Sequence, residues 1–266
     1  MAALSFYVGV IGNLISVLMF LAPVYEHHYL NLSSKSQATS IYTFARIVKN
    51  RSTEEFTSLP YVCTFLNSFL WTYYGIIKPG AYLVSTVNGF GVLAEIVYIS
   101  LFLTYATANK RANTVIWISI LDLGFPAAAI LVTWLALKGD TRISAIGFLG
   151  AGLNIIMYAS PLAAMRTIYN WCKKTVVTTK SVEYMPFWLS FFFFLNGGVW
   201  LFYAWLEQDY FLGVPNGMGF LLGAVQLVLF LIYKTPATKE DKSLSSALLV
   251  EEGSEHEPIT SSACTA

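Results

Sequence analysis

The chain has 266 residues, of which 56% are apolar and only 12% charged, with sixteen Lys/Arg against fifteen Asp/Glu. An ordinary soluble domain carries about 25% charge, a disordered chain has low hydrophobicity and high charge, and a nucleic-acid binder has a basic excess. All three classes are excluded, which leaves an integral membrane protein whose 16% aromatic content suits interfacial belts.

A bilayer-crossing helix needs about 20 mostly apolar residues. In chain order, seven segments meet that need: 4–24, 59–77, 82–105, 114–137, 142–165, 184–205 and 211–233. Turn formers and polar residues mark the joints, among them Lys78-Pro79-Gly80, Asn109-Lys110-Arg111 and Lys138-Gly139-Asp140. Helices are the expected spanning form, because backbone polar groups in lipid must be satisfied within the segment. The alternation of a barrel strand is missing. The first span lacks the basic start and short apolar run of a signal peptide, so it is expected to be retained. Cys63, Cys172 and Cys264 form no CxxC pair and no disulfide framework. The tail, 234–266, is Ser-rich and acidic and is expected to be disordered and cytosolic.

Lys and Arg set the orientation. Loops on one face hold thirteen: Lys35, Arg46, Lys49, Arg51, Lys110, Arg111, Arg166, Lys173, Lys174, Lys180, Lys234, Lys239 and Lys242. Loops on the other hold Lys78, Lys138 and Arg142. The N-terminus is therefore expected outside or lumenal and the C-terminus cytosolic. The sequons at Asn31 and Asn50 then fall in a cytosolic loop and are expected to be unused.

The odd number of spans resolves into a repeat. Aligning Ile11–Val24 with Leu149–Leu162 pairs Gly12 with Gly150, Ser16 with Asn154, Met19 with Met157 and Pro23 with Pro161. Aligning Leu66–Gly75 with Leu195–Ala204 pairs Asn67 with Asn196, Trp71 with Trp200 and Tyr74 with Tyr203. Val87–Gly91 then meets Pro215–Gly219, pairing Asn88 with Asn216. Spans one to three (4–105) thus recur as spans five to seven (142–233), with 114–137 as a linker. An odd number of crossings between the repeats keeps both in the same orientation, an arrangement some transporters use. The expected fold is all-α: two parallel three-helix bundles joined by a linker helix. The repeat also exposes an insertion, 25–42, since Pro23 to Pro60 is 37 residues while Pro161 to Pro186 is 25. It carries His27 and His28, which lack the further ligands a metal site needs, and no metal is expected.

Uncharged amides recur within the spans. An amide in lipid is disfavoured without a partner, and Asn88 and Asn216 sit at equivalent points of the two halves. Their donors and acceptors suit a neutral polyhydroxylated ligand. Trp71 and Trp200 offer apolar faces for the C–H side of a sugar. Pro23, Pro60, Pro161 and Pro186 lie toward the cytosolic ends of their spans and would kink or begin helices there. On the far side Tyr74 and Tyr203 are paired, and Asp209 and Lys78 are placed to form a closing ion pair.

These residues together resemble the SWEET family of bidirectional sugar transporters, over about residues 4–236. The resemblance is carried by Arg46–Phe56, Leu70–Gly75, Thr86–Gly91, Asn154–Leu162, Ser181–Pro186 and Val214–Gly219. It implies central sugar binding and facilitated diffusion without a cofactor. By position, Asn88 and Asn216 resemble the family's sugar-binding amides and Trp71 and Trp200 its flanking aromatics. Ser16, Met19, Asn67, Asn154, Met157 and Asn196 resemble the remaining pocket lining. The four prolines resemble its cytosolic gate, and Tyr74, Tyr203 and Asp209 its outer gate. The resemblance also implies glucose, fructose or sucrose as substrate, homo-oligomers or hetero-oligomers with relatives, and plasma or vacuolar membrane. Met19 and Met157 favour hexoses. The asparagine motifs and Pro186–Phe192 resemble the vacuolar branch of plants. The insertion departs from the pattern, since other members join these spans by a shorter loop.

The competing expectation is a proton-coupled carrier using Glu95 or Asp122, because intramembrane acids are functional candidates. A receptor has no need of matched halves. An intramembrane enzyme lacks a general acid/base constellation in the spans, and no nucleic-acid partner is expected.

Overall fold

The computed structural model describes residues 2–29, 40–54, 56–158 and 187–233, which are helical apart from short connections. Helix α1 is Ala2–Tyr29, α2 Ser40–Asn50, α3 Leu59–Ile77 and α4 Tyr82–Tyr105. A linker follows: α5 is Ala108–Trp117, Ile118–Gly124 is π-helical, and α6 is Phe125–Ala136. Helix α7 spans Gly139–Tyr158, α8 Phe187–Leu206 and α9 Tyr210–Tyr233.

Local chemistry explains several of these limits. Pro60 sits in the first turn of α3, where its missing N–H costs nothing. The α3–α4 connection turns at Gly80, whose φ of +82° suits a residue without a Cβ. The π-helical stretch ends just before Pro126, in the first turn of α6. Proline cannot donate to the carbonyl four residues back, here that of Asp122, and its ring crowds that carbonyl. The helix therefore widens where the linker was expected to run as one regular span.

The described ends of the insertion are helical. Residues 25–29 continue α1 and residues 40–42 begin α2. The α2 helix docks by one apolar face: Phe44 and Ile47 are buried against Phe102 and Ala106 of the C-terminal end of α4. The Phe44 ring stacks on Tyr98 at 4.6 Å. Beyond it, Arg46 pairs with Glu54 at 2.5 Å, and the Asn50 amide donates to the same carboxylate at 2.6 Å. These two partners hold the Glu54 carboxyl below its ordinary range, the Asn50 bond contributing most.

Helix α3 packs closely on α4, and α8 on α9, while α1 touches both α4 and α8 and so joins the two halves. Asn13 of α1 donates to the Leu83 carbonyl of α4 at 3.0 Å and accepts from Thr86 at 3.0 Å. Among the described residues, four helices are long and apolar enough to cross a membrane: Tyr82–Tyr105, Ala108–Ala136, Gly139–Tyr158 and Tyr210–Val228. Ala3–Leu18 and Ser190–Leu206 are shorter apolar stretches. Large apolar side chains point outward, with Ile76, Ile156 and Leu231 each 69% exposed, as a lipid-facing surface requires.

Close helix contact depends on Gly75. A Cβ there would lie 2.7 Å from both the Ala81 carbonyl and the Ser85 amide nitrogen, backbone atoms that cannot swing away. Gly75→Ala is expected to force α3 and α4 apart at a cost of about 3 kcal/mol, the upper end for overpacking. A lowered melting temperature in detergent checks this.

Candidate functional site

The centre of the molecule holds a cavity of about 220 Å³ between the two halves. Eight of the ten residues expected to line a pocket border it: Ser16, Asn67, Trp71, Asn88, Asn154, Asn196, Trp200 and Asn216. Among the described residues none of the lining side chains carries a charge. Met157 does not border the cavity; Tyr158, one helical turn from Asn154, does. Met19 falls outside the residues whose side chains are described.

The repeat reappears as matched geometry. The Asn88 amide nitrogen donates to the Val84 carbonyl at 2.9 Å, and that of Asn216 to the Leu212 carbonyl at 2.8 Å. Each bond uses one N–H and fixes the side-chain direction, leaving the Oδ1 and a second N–H for a ligand. A Cβ on Gly12 would meet the Trp200 indole at 3.0 Å, and one on Gly150 the Trp71 indole at 3.1 Å. Each tryptophan therefore seats on a glycine of the opposite half. Trp71 and Tyr74 meet edge to face with centroids 5.3 Å apart, and so do Trp200 and Tyr203.

Ten further residues line the cavity that were not expected to, among them Thr64 and Ser68 on α3 and Phe193 on α8. Thr64, Asn67, Ser68 and Trp71 form an i, i+3, i+4, i+7 stripe, the spacing of one helix face. That polar stripe was the available signal. It also dilutes the hydropathy of α3.

Beyond the tryptophans, toward the N-terminal end of α1, the molecule is closed. Trp71, Tyr74, Trp200 and Tyr203 join Val8, Leu83, Ile146 and Leu212 in one buried cluster. Asp209, 4% exposed, sits at its edge. The Tyr74 hydroxyl donates to its carboxylate at 2.9 Å, and Lys78 approaches at 2.6 Å. Asp209 also accepts the Leu212 amide at 3.1 Å, capping α9. The Tyr203 hydroxyl reaches the Gly80 carbonyl at 3.5 Å. All three residues expected at the outer gate, with Lys78, thus meet at this end.

At the opposite end Pro60 is exposed in the first turn of α3, and Pro23 lies within α1. Pro161 and Pro186 fall outside the described residues, as do Cys172, Cys264 and Asn31. Among the described residues no group of three His, Cys, Asp or Glu side chains is arranged to hold a metal. Glu95 and Asp122 are buried away from the cavity, with Glu95 Oε2 and both Asp122 oxygens lacking hydrogen-bond partners.

Known proteins resemble this chain in sequence and in fold. The family described as sugar efflux transporter for intercellular exchange matches residues 36–110 and 144–238. The bidirectional sugar transporter SWEET17 of Arabidopsis thaliana is 53% identical over 262 residues, covering 98% of this chain and 97% of the relative. SWEET16 of the same plant is 51% identical, covering 92% and 96%. A solved eukaryotic SWEET transporter superposes with a TM-score of 0.74 at 32% identity, covering 88% of this chain and 99% of the other. The chain therefore belongs to the SWEET family of sugar efflux transporters, with the seven-helix 3+1+3 fold of that family.

Proposed function

We propose that this chain carries neutral hexoses passively and in both directions by alternating access. The observation that supports this most is the cavity itself, where paired amides and paired indoles meet without a charged lining group among the described residues. Its volume of about 220 Å³ lies below the roughly 300–1,000 Å³ of drug-sized sites, which favours a monosaccharide. Asn88 and Asn216 bind hydroxyls from opposite walls, and Trp71 and Trp200 cover the C–H faces. The Tyr74–Asp209–Lys78 contact shuts the outer side while the proline-bearing ends give access from the cytosol. The halves 4–105 and 142–233 rock about the sugar, with 114–137 as the connector.

The test is uptake of labelled glucose, fructose and sucrose by a transport-deficient host. Hexose uptake above the empty host is expected, and the absence of flux for all three sugars overturns the reading. Deleting residues 25–41 in the same assay shows whether the insertion matters to transport.

Placement in the vacuolar membrane, with the N-terminus lumenal, rests on the asparagine-motif wording and the thirteen-to-three division of cations. A fluorescent fusion and protease protection of the tail check both. Assembly with copies or relatives belongs to the same proposal and is checked by cross-linking. Proton coupling draws support from the unpartnered carboxylate oxygens of Glu95 and Asp122. It predicts that an uncoupler collapses uptake, whereas passive transport is indifferent to it.

A further inference from the structure

Helix α1 packs against both halves, and one of its turns makes a specific contact with each. On one side of that turn, Gly12 and Ser16 receive the Trp200 indole of the second half, whose N–H donates to Ser16 Oγ at 3.2 Å. On the other side, Asn13 grips α4. Its amide nitrogen donates to the Gly9 and Leu83 carbonyls, both at 3.0 Å, and its Oδ1 accepts from the Thr86 hydroxyl at 3.0 Å. Thr86 Oγ1 also lies 2.9 Å from the Leu83 carbonyl. Both N–H groups and the oxygen of Asn13 are thus engaged within the protein, and the residue does not border the cavity.

The gripped turn of α4, Leu83 to Thr86, contains Val84, whose carbonyl anchors the Asn88 amide at 2.9 Å. The second half has no such grip. At the repeat offsets Asn13 becomes Ala151, Leu83 becomes Phe211 and Thr86 becomes Val214, none with a side-chain hydrogen-bonding group. The apolar part of the contact does recur. Gly9 admits Leu83 and its equivalent Gly147 admits Phe211, a Cβ on either glycine falling 2.5 or 2.6 Å from that side chain.

Hydrogen bonds between helices in a bilayer have no water to replace them when they break. Two of them therefore fix the height of α4 on α1. We infer that Asn13 is a positioning residue that acts through Asn88. It holds the first-half amide at a set distance from the α1 turn on which Trp200 of the second half is seated. At the corresponding point of the second half, the turn carrying Asn216 is held by apolar packing. This inference rests on the sugar-transport reading.

The test uses the full chain in proteoliposomes, with the fastest-carried of glucose, fructose and sucrose and rates normalised to folded protein. Asn13→Ala is expected to raise KM about fivefold, equivalent to about 1 kcal/mol, with little change in kcat. Thr86→Val, which removes one of the two bonds and keeps the branched shape, should raise KM about threefold, and Thr86→Ser should restore it. A double-mutant cycle then separates positioning from general stability. Asn13→Ala should raise KM no further in an Asn88→Ala background, while its effect should multiply with that of Asn216→Ala. Where Asn13→Ala does not fold, Thr86→Val carries the same cycle. A lowered melting temperature with unchanged KM, or effects that multiply equally in both backgrounds, overturn the positioning role. Failure of the wild type to carry any of the three sugars overturns the transport reading instead.

Discussion

Asn88→Ala and Asn216→Ala are each expected to cut sugar flux roughly thirtyfold while the protein still folds and reaches its membrane. Each amide is tied back to the carbonyl one turn earlier, at 2.9 and 2.8 Å, so its remaining acceptor and donor face the cavity. Alanine removes up to two bonds to the ligand, at about 1 kcal/mol each for neutral groups. Two such bonds, about 2 kcal/mol, correspond to roughly thirtyfold at 1.4 kcal/mol per decade. The tied-back bond lies within one helix, and alanine is the best helix former, so the fold is not at risk. Flux is measured in a transport-deficient host, with surface or vacuolar protein quantified alongside. Normal flux in both variants sinks the assignment of the amides.

Asp209→Ala is expected to have the largest effect on the closed outer end. Three groups converge on this carboxylate, the Tyr74 hydroxyl, Lys78 and the Leu212 amide, and Tyr74 in turn meets Trp71 edge to face. Removing one partner of a fully buried ion pair costs about 3–5 kcal/mol. Lys78 is partly exposed, which reduces that figure. Loss of the α9 cap contributes about 1 kcal/mol. A net loss of about 2 kcal/mol shifts the closed-to-open balance roughly thirtyfold toward opening. A reporter cysteine at Ala204, which is 2% exposed beneath this contact, should then react with maleimide about thirtyfold faster. The three native cysteines are replaced by serine for this experiment. Unchanged labelling means that Asp209 does not hold this end shut.

Much of this architecture was legible before any coordinates. The limits of α3 and α4 coincide with the expected spans because Pro60 and the Lys78-Pro79-Gly80 turn mark them chemically. The pocket pairs emerged from self-comparison, since a repeat places like residues at like depths. Other features needed the fold. Helix α2 is short and lies in a polar stretch, so its apolar face, Phe44 and Ile47, has no length in which to show a period. Thr64 and Ser68 look like ordinary span residues until the stripe they share with Asn67 and Trp71 faces a cavity. The π-helical turn needs the position of Pro126 relative to Asp122, which a hydropathy window does not weigh.

Composition first indicated only a membrane protein, and the placement of its few charges proved more telling. Glu95 and Asp122 lie off the cavity, and the charged contact at Asp209 sits beyond the tryptophans. The most direct test of an uncharged, passive path is exchange in proteoliposomes loaded with one hexose and placed in labelled hexose. Label is predicted to enter until inside and outside concentrations match, at the same rate with or without a proton gradient. Accumulation above the outside concentration when a proton gradient is imposed would contradict the account.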